Sequence, residues 1–242
     1  MDVRSRQTEF LCVSTISCAL AVLVGCADGP FNGGGSLNPW QRTEWEKDEQ
    51  RGPTFHTQMQ QLKELADAAA YQSPDRQEQV AQDMLQRYKN EANPLLRTAI
   101  VRVAGNLKGS TSVDEILKAA MSDSESEVRV AAAKALGNRG NEEALQTLAS
   151  AMGNETDIDV RIAVAGELRR FKNSQEATRA LALALDDNDA ALQHQAIASL
   201  EQVTGRSYGV SVPAWREYLA GGNPAPPPGP SLADRVKGYV WW

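Results

Sequence analysis

The sequence predicts an all-α fold, a short α-solenoid of stacked helix pairs. Three observations predict it. First, Arg97, Arg129 and Arg161 recur at a spacing of 32 residues, and Gln193 continues the count. Second, apolar residues share that register: Leu96, Val128, Val160 and Leu192 stand just before those positions, and Ala104, Leu136, Leu168 and Leu200 stand seven after. Third, the middle of the chain is dominated by Ala, Leu, Gln, Glu and Arg, with aromatics at only 6% overall, a mixture that favours helix over strand. Several columns agreeing on one period mark a repeat whose units bury their apolar stripes only by stacking.

Each unit reads as two amphipathic helices. In the best-formed unit the first helix is predicted over Glu127 to Leu136, ending near Gly137 or Gly140. The second is predicted over Glu142 to Met152, ending at Gly153-Asn154. Second helices have their own columns: Val113, Leu145 and Ala177 at one offset, Leu117, Ala149 and Leu181 at another. The pattern Asp-x-x-x-x-Val-Arg-x-x-Ala-x-x-Ala-Leu-Gly, formed by Asp123, Val128, Arg129, Ala132, Ala135, Leu136 and Gly137, resembles the short HEAT-like repeats. That family includes the repeats first noted in phycobilisome lyases. The resemblance covers about Asn90 to Thr204, and the tetratricopeptide and ankyrin signatures are absent.

Outside that span the register weakens. Ala81, Met84, Leu85 and Tyr88 sit where a second helix belongs, so Thr57 to Tyr71 is the expected first helix of a degenerate capping unit. After Thr204 an insertion, Gly205 to Val212, precedes a short helix begun by Pro213 and ended by Gly221 and Gly222. This stretch resembles the closing unit of bacterial HEAT-like proteins, which makes Trp215 the expected cover over the end of the core. The solenoid with its caps is thus placed at 55–220, a stiff Pro-rich linker at 221–230, and a short amphipathic aromatic tail at 231–242.

The N-terminus predicts export. Arg4 and Arg6 precede an apolar run from Phe10 to Gly25, too short to span a bilayer comfortably but suited to a secretory signal. The run ends Leu23-Val24-Gly25-Cys26, which resembles the bacterial lipobox. The resemblance implies a signal peptide at 1–25, lipidation of Cys26, and a lipidated tether at 26–54 holding the solenoid at the extracytoplasmic, periplasmic face of a bacterial membrane. Attachment is stable because each buried methylene contributes about 0.8 kcal/mol and a bacterial lipoprotein carries more than one chain. An ordinary signal peptide or an uncleaved anchor are the alternatives.

Chemistry is sparse. The three cysteines, Cys12, Cys18 and Cys26, all fall in or beside the signal, which leaves no thiol for a disulfide, a nucleophile or a metal in the processed chain. His56 and His194 stand far apart, and no Gly-x-Ser-x-Gly elbow or phosphate-cradling glycine loop occurs. Net charge is −6, which argues against a general affinity for nucleic acid. No cofactor and no metal are expected. The alternating acids Glu155, Asp157 and Asp159 begin like a calcium loop, but Val160 occupies the sixth position where glycine is needed. Helix capping explains these acids and Asp187 and Asp189 at the next turn.

Arg97, Arg129 and Arg161 suit either a basic ladder for an anionic ligand or, as the resemblance implies, pairs with the acids of adjacent turns that hold units in register. Gln193 would then mark the last, unpaired position. All five tryptophans lie outside the regular repeats. Trp40, Trp45, Trp241 and Trp242 are candidate anchors for a partner or a membrane surface, with a capping role as the alternative. The expected function is a non-enzymatic scaffold that binds a protein partner, and the low charge of the second helices favours an apolar or helical one. A chromophore-lyase-like handler of small molecules and a bulk structural envelope component are the other readings.

Overall fold

The structure is a computed structural model that describes residues 52–108 and 110–225. Contacts divide the chain into a unit Met1–Gln58 and a unit Met59–Trp242. Of the first unit the described part is Gly52 to Gln58, where the Thr54 hydroxyl accepts from the Thr57 N–H at 3.2 Å and opens the first helix.

Ten helices make up the described residues: α1 (Phe55–Ala69), α2 (Pro74–Asn90), α3 (Pro94–Asn106), α4 (Thr111–Ala120), α5 (Ser126–Arg139), α6 (Glu142–Asn154), α7 (Ile158–Leu168), α8 (Gln175–Leu185), α9 (Ala190–Thr204) and α10 (Val212–Leu219). The described residues contain no strand. Within the second unit the helices form two layers. α3, α5, α7 and α9 stack side by side as the first layer, and α2, α4, α6 and α8 form the second. This is the expected all-α solenoid.

Local chemistry sets the boundaries. Asn93, Ser110, Asn141, Asp157, Ser174, Asp189 and Ser211 each accept a backbone N–H of the helix that follows, satisfying donors that a helix start leaves unpaired. Gly140 and Gly205 end α5 and α9 in the left-handed region, at φ 62° and 68°, where a side chain is disfavoured. α2 starts early, because Pro74 is pre-set for a first helical turn.

One apolar cluster runs through the second unit. Its largest wholly buried members include Ile100, Leu117, Leu148, Leu168, Leu181 and Leu200, contributed by both layers. Ala81, Met84, Leu85 and Tyr88 are buried on α2, as the weak register before Asn90 implies. α1 is tied down by the Asn106 amide, which donates to the Ala66 carbonyl at 2.9 Å. At the other end Trp215 is fully buried, edge-on to Tyr208 and Tyr218 with ring centroids at 5.0 and 5.9 Å. Its indole N–H donates to the Gly209 carbonyl at 3.1 Å.

Candidate functional site

The first-layer helices are joined through their arginines. Each arginine sits one turn into its helix, and Arg97 and Arg129 turn back over the connection that leads into theirs. Arg97 Nη1 donates to the Ala92 carbonyl at 2.8 Å, and Arg129 Nη1 to the Asp123 carbonyl at 2.8 Å. The rest of the guanidinium crosses to the next unit. Arg97 grips Asp123 with two bonds of 2.8 Å, and Arg129 grips Glu155 with bonds of 2.7 and 3.2 Å. Arg161 pairs with Asp187 through Nη1, and its buried Nε has no partner among the described residues. Each acid lies 26 residues beyond its arginine.

The acids serve two units at once. Asp123 accepts from the Glu125 N–H, Glu155 from the Thr156 and Asp157 N–H groups, and Asp187 from the Asp189 N–H. Asp123 also takes the Tyr88 hydroxyl at 2.7 Å. Burial works to raise the Asp123 carboxyl, but the Arg97, Tyr88 and Glu125 hydrogen bonds outweigh it and hold the group at about 2. The same contest leaves Glu155 below its ordinary value, with Arg129 as the main lowering partner. Asp187 is lowered first by the Asp189 N–H and then by Arg161. Burial and Asp123 together push the Tyr88 hydroxyl up.

The ladder has two ends. Gln193 is not unpaired: its amide donates to the Asp187 carbonyl at 2.6 Å, keeping the contact to its own turn. What it lacks is the crossing bond, and the position 26 residues on is Leu219 rather than an acid. At the other end Glu91 accepts from the Asn93 N–H at 2.9 Å, and the residue 26 before it is Leu65.

Two glycines let the first layer close up. A Cβ on Gly105 would stand 2.8 Å from the Ala135 Cβ, and one on Gly137 would stand 2.7 Å from the Glu167 Cβ. Helices approach this closely only where no side chain intervenes.

The second layer is looser. α2 packs on α4 and α6 packs on α8, whereas α4 and α6 part. Between them lies a groove of about 520 Å³, with Lys118, Met121 and Ser122 on one wall and Glu143, Gln146, Thr147, Ser150 and Asn154 among the residues of the other. None of its lining side chains is aromatic or histidine. Near it Arg139 pairs with Asp114 of α4. Neither the groove nor this pair is foreseen by the repeat register, although an arginine at 139 in a column otherwise held by Leu107, Phe171 and Val203 is a visible signal.

The remaining candidates fall elsewhere. His56 and His194 are exposed. Among the described residues no group of three or more His, Cys, Asp or Glu side chains is placed to hold a metal. Asp157 caps α7 through the Asp159 and Val160 N–H groups. Cys26, Trp40, Trp45, Trp241 and Trp242 lie outside the described residues.

Residues 81–169 match the family of HEAT repeats. The match runs from the middle of α2 to the end of α7, and contains all three ladder arginines and the groove. The repeats are therefore HEAT-like. No curated protein matches the chain.

Proposed function

We propose that the chain is a lipid-anchored extracytoplasmic scaffold, non-enzymatic, whose HEAT-like solenoid presents a fixed surface to a protein partner. The observation that carries this is the ladder. Three consecutive joints, Arg97–Asp123, Arg129–Glu155 and Arg161–Asp187, tie unit to unit at the same spacing, the first two with two-bond grips and the third through a single guanidinium nitrogen. Each arginine side chain is mostly buried, so this chemistry holds the stack in register and does not offer charge to a ligand. Stacked repeats of this kind display an extended surface fitted to another protein.

The anchor rests on the sequence Leu23-Val24-Gly25-Cys26 behind the Phe10–Gly25 apolar run. Among the described residues no helix is long and apolar enough to cross a membrane. Attachment is tested by Cys26→Ala: membrane recovery should fall to background, and undiminished recovery of a processed chain contradicts the lipid anchor.

The scaffold reading is tested by chemical crosslinking in cells through a C-terminal affinity tag, followed by mass spectrometry. One or two envelope proteins at near-stoichiometric yield are expected. A spread of unrelated proteins with no enriched partner contradicts the reading.

A further inference from the structure

The parting of α4 and α6 sets one joint apart from its neighbours. Leu107, Phe171 and Val203 occupy one repeat column and are all buried, yet the column's fourth member is Arg139, whose guanidinium goes to Asp114. The groove beside this pair is polar, and several of its groups have no partner among the described residues. Lys118 on α4 and the carboxylate of Glu143 on α6 are exposed and unpaired. The Gln146 amide is also uncommitted. Asn154 donates its N–H groups to Ser150 but leaves Oδ1 free.

The charges are staggered along the groove. Lys118 occupies the repeat position of Ser150, seven residues beyond Glu143, and α4 and α6 run parallel as equivalent helices. Seven residues at the rise of an α-helix are about 10 Å. An extended chain covers that distance in about three residues. Free side-chain amides suit a main chain whose own N–H and C=O groups are available, as in an extended segment, whereas a helix satisfies those groups internally. With two apolar residues, Met121 and Ala151, on its walls, the groove gives an apolar helix face little to rest on.

We propose that the groove between α4 and α6 takes an extended segment of the protein partner. A cationic side chain lies opposite Glu143, and an anionic one about three residues away lies opposite Lys118. This rests on the scaffold reading and names the seat and the chemistry of its ligand. It replaces the apolar or helical partner that the second-helix composition favours.

The test is a random nonapeptide library, displayed on phage and selected against the full-length lipidated protein in detergent micelles. Enriched peptides carry a base and an acid three residues apart. Ser150→Trp fills the groove from an exposed position, keeps the melting temperature and weakens these peptides by about tenfold or more. Lys118→Glu weakens them comparably, and exchanging the peptide's acid for lysine restores binding. Enriched peptides that bind the Ser150→Trp variant as tightly as the parent overturn the groove as the seat while leaving the scaffold reading standing. No enrichment overturns the groove proposal as well, and the scaffold reading is then judged separately by crosslinking in cells.

Discussion

Arg129 holds two turns of the chain at once. Its Nε donates to Glu155 Oε2 at 2.7 Å in the unit ahead, and its Nη1 donates to the Asp123 carbonyl at 2.8 Å in the turn behind. Both partners of the ion pair are shielded, with side chains 15% and 10% exposed. Removing one partner of a buried pair leaves the other uncompensated, which costs about 3 kcal/mol or more. Arg129→Ala should therefore lower stability by about that much in urea unfolding. Arg129→Gln should lose roughly half as much, because Gln193 shows that an amide retains the contact to its own turn. Equal losses would mean that the crossing bond contributes little.

Gly137 and Gly166, both on first-layer helices, make a paired test. Replacing glycine by alanine inside a helix gains up to about 1 kcal/mol where space allows. At Gly166 a Cβ would meet only the Gln195 side chain at 3.5 Å, so Gly166→Ala should stabilise. At Gly137 the new Cβ would stand 2.7 Å from the Glu167 Cβ, and overpacking costs of about 1–3 kcal/mol prevail. Gly137→Ala should lower the melting temperature while Gly166→Ala raises it.

Acid sensitivity follows from Asp123. Its carboxyl is held at about 2 against an ordinary value of 3.8, so the folded state binds this proton less readily than the unfolded one. The stability is fully present above the unfolded value and is lost as pH falls through the folded one, between about pH 4 and pH 2. The amount is about 2 kcal/mol at most. Glu155 and Asp187 shift in the same direction. Urea midpoints measured at pH 6 and pH 2 should differ accordingly. Tyr88→Phe removes one of the lowering hydrogen bonds and should move the loss to higher pH.

Trp215 anchors the C-terminal end. Truncating a fully buried large aromatic costs about 3–5 kcal/mol, so Trp215→Ala should destabilise strongly. Trp215→Phe keeps most of the packing and gives up the bond to Gly209. It should cost clearly less, as read by thermal unfolding.

Much of this architecture is legible in the sequence, for a physical reason. In a stack of equivalent units each contact is repeated, so burial writes Val128, Val160 and Leu192 into one column and pairing writes Arg97, Arg129 and Arg161 into another. Contacts that occur once are harder to see. Tyr88 donating to Asp123, and Arg139 displaced onto Asp114, belong to single joints. The close approach at Gly105 and Gly137 depends on the distance between helices, which no periodicity encodes. The groove is a gap between two loosely packed helices, and a sequence carries no mark for missing packing beyond the odd arginine in an apolar column. Boundaries also shift where local chemistry intervenes. The first helix ends at Ala69 rather than Tyr71, and Pro74 starts the second.

As a scaffold, the solenoid is proposed to bind a discrete protein partner. A photo-crosslinking amino acid placed in turn at Gln146 in the groove and at His194, exposed on α9, tests it in cells. One crosslinked protein is expected, captured from Gln146 and weakly or not at all from His194. Capture of no discrete protein from either position would contradict it.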